Sequence, residues 1–108
     1  MGLGKAIEIA EKNLDKYNYD MKLLRDYYEI QVEKNIPYIK INGHRIKRLS
    51  GNSNISFDFI NGEELLLKLD EKGICVSTGS ACSSGNDSPS HVLVAIGLDE
   101  RKSKGSLR

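Results

Sequence analysis

One segment of small polar residues, Ser77–Gly85, limits how this chain can fold. It places a single thiol, Cys82, among serines, glycines and an alanine, and it contains no large apolar side chain. Its two glycines loosen the backbone, so the segment suits an exposed loop rather than a packed helix or strand. The apolar run Ile74–Val76 precedes it, and Ser88-Pro89 follows it as a helix-start signal. We therefore expect an open, mobile loop at about 77–87 between two ordered elements.

The first 35 residues have helical spacing with one interruption. Apolar residues recur on one face over Leu3–Tyr17, and the same spacing resumes over Met21–Val32. Asn18 lies between the two stripes, and Asp20 is a suitable helix cap. The pattern predicts two successive helices, the second of which ends before Pro37.

The middle of the chain carries strand signals. Tyr38–Ile41 is a short β-prone run that ends at Asn42-Gly43, a dipeptide typical of tight hairpin turns. The basic run His44–Arg48 has no accompanying aromatic residues, so we interpret it as a solvated edge strand rather than a phosphate-binding patch. Asn54–Phe59 alternates, with its three large apolar side chains on one face, and predicts a strand.

The rest of the chain predicts two more helices and two more strands. Glu63–Lys72 is expected to form a helix closed by Gly73. The apolar run that follows predicts a short buried strand in which Cys75 serves as a small apolar residue. A short helix after the loop should stop at Gly97, and Ser106–Arg108 has the character of a strand that has just begun.

The element order favours an α+β fold in which helices cover one face of a small sheet. A chain of 108 residues suffices for one modest core, so we interpret 1–108 as a single domain. The formal net charge is +1, which disfavours nucleic acid or an anionic membrane as a partner. No apolar run approaches the roughly 20 residues of a membrane span. A cytoplasmic location is therefore expected.

Cys82 is the residue to which this reasoning gives chemistry. A thiol becomes a useful nucleophile when it is accessible and its thiolate is stabilised, and the loop composition favours accessibility. Cys75 and Cys82 form no Cys-x-x-Cys motif, and only His44 and His91 could join them, which disfavours a zinc site. Both histidines are interpreted as surface residues. The loop glycines match no nucleotide-binding fingerprint.

Four motifs occur in a fixed order along the second half of the chain: Asn54–Phe57, Gly73–Ser84, Ser88–Leu93 and Ala95–Leu98. Together they closely resemble the C-terminal region of cysteine desulfurases, which are pyridoxal-phosphate enzymes of the class V aminotransferase group. The loop around Cys82 resembles the branch with a long catalytic loop. The resemblance implies the small domain of a fold-type I pyridoxal-phosphate enzyme, truncated at its C-terminus.

The resemblance implies roles for two residues. Cys82 matches the catalytic cysteine, which takes sulfur from L-cysteine as a persulfide. Arg108 matches the arginine that holds the substrate carboxylate, a task suited to a bidentate guanidinium. The lysine that binds pyridoxal phosphate belongs to a large domain outside this chain. We therefore expect the isolated chain to bind no cofactor and to be inactive.

The same resemblance implies partners. They are the missing large domain, a second copy in a homodimer, and a sulfur acceptor such as an iron–sulfur scaffold or a tRNA-thiolation protein. Without its final strand and helix, the chain is expected to be marginally stable or to self-associate. Two alternatives stay open. One is a standalone sulfur-relay module that carries persulfide on Cys82, and the other is a non-catalytic remnant that serves as a partner-binding surface.

Overall fold

The structure is a computed structural model that describes residues 2–79 and 90–108. The helices are α1 (Gly2–Asn35), α2 (Gly62–Asp70), α3 (His91–Ala95) and α4 (Glu100–Lys104). The strands are β1 (Ile39–Ile41), β2 (Ile55–Phe57) and β3 (Ser106–Leu107). This combination of helices with a three-stranded antiparallel sheet agrees with the predicted α+β class.

α1 is one continuous helix, so the prediction of two successive helices was wrong. Asn18, the expected interruption, lies inside the helix, and its side-chain oxygen accepts a hydrogen bond from Ser50 Oγ at 2.8 Å. Lys16 and Asp20 form an ion pair one turn apart across the same position. The cost of an asparagine within a helix is only a few tenths of a kcal/mol, and tertiary contacts readily offset it.

Only the C-terminal half of α1 packs against the rest of the described structure. Residues 2–19 are all exposed, whereas Arg25, Glu29 and Val32 are buried. These three positions recur at the spacing of one helical face. The C-terminal half of α1 therefore packs against the domain, and its N-terminal half is exposed to solvent.

The sheet has the order β1-β2-β3, with both strand pairs antiparallel. Ile55 lies opposite Ile41 on one side and opposite Leu107 on the other. The core joins sheet and helix residues: Val32, Ile55, Phe57 and Leu107, flanked by Ile39, Ile41, Leu65, Leu66, Leu69 and Val76. The predicted strand at Tyr38–Ile41 is confirmed over its last three residues, and that at Ser106–Arg108 over its first two.

β2 is shorter than its sequence pattern predicted. Phe59 was expected on the buried face, but its side chain is 77% exposed and its φ is +65°. A left-handed residue ends the strand geometry, so β2 stops at Phe57. Ser56 is buried as fully as its apolar neighbours because β2 is the central strand, with a partner on each side.

Two further strand predictions were wrong. His44–Arg48 forms turns within the connection from β1 to β2, rather than an edge strand. Gly43 does have the predicted positive φ, +84°, yet residues 42–54 separate the two strands in place of a tight hairpin. Ile74–Val76 is not a strand, and Cys75 is exposed rather than buried.

The predicted helix stops are confirmed at Gly73 and Gly97, which have φ values of +75° and +87°. α4 was not predicted, because its residues are polar and carry no apolar stripe. Its capping signal is nevertheless in the sequence, since Asp99 Oδ1 accepts a hydrogen bond from the Lys102 N–H at 2.8 Å. None of the helices in the described ranges combines the length and apolarity needed to cross a membrane.

Gly105 lets α4 and β3 approach the central strand. A Cβ atom at this position would lie 2.4 Å from the carbonyl oxygen of Phe57 and 3.0 Å from that of Ile60. The Gly105 carbonyl accepts a hydrogen bond from the Phe57 N–H at 2.9 Å. Any larger residue would push β3 off β2, because the obstructing atoms belong to the backbone.

We expect Gly105→Ala to lower the free energy of unfolding by about 1–3 kcal/mol, since overpacking against backbone cannot relax through a rotamer change. Urea denaturation followed by circular dichroism measures this change. Gly4→Ala is the matched control, because nothing lies within 4 Å of a Cβ there. It should leave stability unchanged or raise it by up to about 1 kcal/mol. Equal stabilities of the two variants would contradict this packing argument.

Candidate functional site

A groove of about 310 Å³ lies between the 42–54 connection, α3 and the chain end that follows β3. The connection contributes polar side chains, among them Asn42, Asn54 and Arg48, and α3 contributes apolar ones. Arg108 lines the same groove. This volume is at the lower end of the range for small-molecule sites, and the mixed lining is typical of them.

The two ends of the segment that carries the predicted thiol meet at this groove. Gly79 and Ser90 both line it, and a Cβ atom on Gly79 would lie 4.0 Å from the Cβ atom of Ser90. Cys82 itself lies outside the described residues. In the sequence it follows Gly79 by three positions, so its attachment to the groove is short.

Arg108 is fixed through its backbone. Its N–H donates to the Ser77 carbonyl at 2.8 Å, and its carbonyl accepts from the Ser77 N–H at 2.9 Å. These bonds hold Arg108 beside the segment that leads to Gly79. Its side chain is exposed, and its guanidinium has no hydrogen bond or ion pair within residues 2–79 and 90–108. Arg108 therefore presents an uncompensated cation in the described part of the groove.

Arg48 also lines the groove, but its charge is compensated. Its Nη2 lies 2.9 Å from Glu29 Oε1 and its Nη1 lies 3.4 Å from Glu29 Oε2. The two side chains are only 10% and 9% exposed. Arg48 Nη2 also donates to the Asn52 carbonyl at 2.6 Å, and Ser53 Oγ donates to Glu29 Oε1 at 2.7 Å. Arg48 thus has a structural role, because its bonds fix the 42–54 connection, which forms one wall of the groove.

Other contacts hold the same connection in place. Asn42 is buried, and its Nδ2 donates to Asn54 Oδ1 at 2.6 Å and to Ser56 Oγ at 2.8 Å. The buried guanidinium of Arg25 donates to the carbonyls of Leu49 at 2.9 Å and Ser50 at 3.3 Å. The wall is therefore tied to α1 in its middle and to β2 at both ends. Sequence reasoning missed this role for the basic run.

Both histidines are exposed. His44 lines the groove, but its Nδ1 accepts hydrogen bonds from the Ile46 and Lys47 N–H groups at 3.0 Å each. That nitrogen is engaged in the turn and is not free to act as a base. His91 is exposed at the start of α3. The interpretation of both as surface residues agrees with these positions.

Two groups on α1 have shifted pKa values. Hydrogen bonds from Lys22 and Arg25 hold the pKa of Asp26 below its usual value. Burial raises the pKa of Tyr28, and the adjacent Glu29 carboxylate raises it further. Asp26 is bound by Arg25, which also donates to backbone carbonyls of the 42–54 connection, and Tyr28 adjoins Glu29, which pairs with Arg48.

The described residues do not fit pyridoxal phosphate. Enzymes that use pyridoxal phosphate bind it through a lysine amine. No lysine lines the described part of the groove. Nor does any cluster of three or more His, Cys, Asp or Glu side chains in that part have a metal-binding arrangement. The described lining of the groove therefore includes an arginine without a partner among the described residues, but no lysine amine.

Comparison with known proteins decides the family. The sequence profile of the aminotransferase class-V family matches residues 1–108. The chain belongs to this family. The resemblance stated from the four motifs is confirmed at that level. The match to the C-terminal small domain in particular remains a proposal.

Curated relatives include cysteine desulfurase IscS of Dictyoglomus turgidum, with 48% identity over 108 residues. Cysteine desulfurase IscS of Methanosarcina thermophila has 46% identity over 108 residues. Each alignment covers 100% of this chain, but only 27% and 26% of the respective relative. The chain therefore spans about a quarter of the length of these relatives.

Solved structures of similar proteins share this fold. A NifS-like protein from Rickettsia africae superposes with a TM-score of 0.82 at 26% identity. The match covers 98% of this chain and 26% of that one. A second NifS-like protein gives a TM-score of 0.78 at 29% identity, covering 95% of this chain and 24% of that one. The element arrangement described above is thus one that these proteins contain.

Arg48→Gln should lower the free energy of unfolding by about 3 kcal/mol, because it leaves the buried Glu29 carboxylate without its cation. Arg45→Gln is the matched control, since Arg45 and its partner Glu33 are 52% and 44% exposed. The control should cost less than about 1 kcal/mol. Urea denaturation of both variants at neutral pH measures the difference. Equal losses would show that Arg48 does not brace the connection.

Proposed function

We propose that residues 1–108 form the C-terminal small domain of a cysteine desulfurase. In this proposal Cys82 receives sulfur from L-cysteine and Arg108 holds the substrate carboxylate. The observation that carries it is the position of Arg108 and the status of its guanidinium. It is uncompensated among the described residues, and it lines a groove whose rim is formed by Gly79 and Ser90, the residues that flank 80–89.

The proposed chemistry needs no external oxidant. The Cys82 thiolate attacks the sulfur of L-cysteine, so an S–S bond forms while the substrate C–S bond breaks. The carbon keeps the bonding electron pair and takes a proton, which yields L-alanine and a persulfide on Cys82. Family membership implies pyridoxal phosphate, which would supply the electron sink for that carbon when bound to the large domain.

Arg108 suits the recognition step for two reasons. A guanidinium presents parallel N–H donors that match both oxygens of a carboxylate. Its backbone is fixed by the paired hydrogen bonds to Ser77, so little freedom of the main chain is lost when a ligand binds. Arg48, in contrast, already has its carboxylate in Glu29.

The remaining partners belong to the whole enzyme. We propose that a large domain supplies the cofactor-binding lysine, that the enzyme is a cytoplasmic homodimer, and that the persulfide passes to an iron–sulfur scaffold or a tRNA-thiolation protein. The exposed N-terminal half of α1 supports the proposal of a large domain. Leu3, Ile7 and Leu14 lie on its surface and offer an apolar face to another domain. The isolated chain is proposed to be inactive.

In a full-length protein that contains this segment, isotopically labelled cysteine should leave one labelled sulfur on Cys82. Mass spectrometry of the digested protein locates the added sulfur. Cys82→Ser should abolish the modification because it removes the nucleophile. Cys75→Ser is the control and should retain it, since Cys75 is exposed away from the groove lining. Persulfide formation in the Cys82→Ser protein would refute the assignment.

Arg108→Gln in the same full-length protein should raise KM for L-cysteine about 10- to 100-fold, the loss expected for a charge-assisted bidentate hydrogen bond. Alanine release under initial-rate conditions measures it. Arg101→Gln is the control, because the Arg101 side chain lies over the Phe59 ring rather than in the groove lining. An unchanged KM in Arg108→Gln would remove Arg108 from the site.

A further inference from the structure

Two arginines line the groove, and they differ in whether a carboxylate neutralises their charge. The Arg108 guanidinium has no partner within the described ranges, whereas Arg48 is bound by the Glu29 carboxylate. We propose that Glu29 determines the charge specificity of the groove. By neutralising Arg48, it leaves Arg108 as the one arginine of the described lining that is available to a ligand, and so restricts the groove to ligands with a single carboxylate. This inference rests on the proposed anion-binding role of Arg108.

Glu29 is placed to do this without touching a ligand. It is buried on α1 and does not line the groove, so its effect must pass through Arg48. Both of its oxygens face guanidinium nitrogens of Arg48, at 2.9 and 3.4 Å. Ser53 Oγ also donates to it. Glu29 is therefore a specificity-determining residue that acts through its partner, and not a catalytic residue.

The neighbouring charges leave Glu29 as the main counterion of Arg48. Arg45 lies 3.8 Å from Glu29 Oε2, but its closer bonds go to Glu33, at 2.8 and 3.0 Å. Arg45 thus retains a carboxylate if Glu29 is removed. Among the residues that the structure describes, Arg48 would retain the Asn52 carbonyl, a neutral acceptor. The loss of Glu29 therefore exposes one specific cation to the groove.

The consequence for binding follows from electrostatics. An unpaired guanidinium of low exposure strongly favours any anion that can reach it. Because Arg48 and Arg108 line the same groove of about 310 Å³, a ligand with two carboxylates has a cation for each, whereas a ligand with one carboxylate uses one of them. Converting Glu29 to its neutral isostere should therefore raise the affinity for dianions more than that for monoanions. We expect the preference for the dianion to increase about tenfold, the order of one partly screened charge interaction.

The test uses the full-length protein that contains this segment and two probes, acetate as the monoanion and malonate as the dianion. Amide chemical shifts of Gly43 and Gly79, both in the groove lining, give each dissociation constant. Glu29→Gln should raise the malonate-to-acetate affinity ratio about tenfold. The double variant Glu29→Gln with Arg48→Gln should return the ratio to that of the unmodified chain. Glu33→Gln is the matched control and should leave the ratio unchanged.

The double variant separates charge specificity from a general loss of structure, because damage to the fold would weaken both probes in all variants. If Glu29→Gln does not fold, Glu29→Asp tests the same idea, because it keeps a buried carboxylate but withdraws it from the Arg48 guanidinium. It should raise the malonate-to-acetate ratio in the same direction as Glu29→Gln, by a smaller factor. Binding of neither probe to the unmodified chain, or an unchanged ratio in the folded single variants, would overturn the proposal.

These outcomes are distinguishable from failure of the proposed function. Absence of persulfide on Cys82 in the full-length enzyme, together with the expected change in ratio, would reject the desulfurase role and retain the charge specificity. Persulfide formation together with an unchanged ratio would reject Glu29 as the determinant and retain the desulfurase role.

Discussion

The buried ion pair between Glu29 and Arg48 connects α1 to the 42–54 connection. Glu29 belongs to α1, and Arg48 belongs to the connection that forms one wall of the groove. A buried ion pair loses much of its attraction to desolvation unless other hydrogen bonds complete it. Ser53 and the Asn52 carbonyl complete this one. The pair therefore sets where the wall lies relative to α1, whatever it adds to net stability.

The central strand, β2, determines where β3 and the following Arg108 lie in the groove. β2 is buried along its whole length, and its Phe57 N–H bonds to Gly105, which brings α4 and β3 against it. Gly62 contributes to the same close approach, since a Cβ there would lie 2.6 Å from the Lys104 carbonyl. Arg108 follows β3 directly, so its position is a consequence of these backbone contacts. A cation delivered by a strand end is fixed more tightly than one on a surface loop.

Local patterns predicted the features that local physics determines. Short β-prone runs and glycines with positive φ marked β1, β3 and two helix stops, because strand propensity and left-handed backbone depend on few neighbours. The interruption predicted at Asn18 failed, since contact with the distant Ser50 outweighed a weak propensity. The role of Arg48 was hidden for the same reason, because its partner lies 19 residues away. Arg108 was identified only through the family resemblance.

The proposed reaction is divided between this domain and a second domain that carries the cofactor. Recognition of a carboxylate needs a fixed cation, and acceptance of sulfur needs a thiol that can reach the substrate. In the proposed function Arg108 supplies the first, and Cys82 follows Gly79, a residue of the groove lining, by three positions in the sequence. The described groove contains no lysine that could hold an electron sink. Because C–S cleavage requires that sink, the proposed reaction needs a second domain that presents the cofactor to the groove.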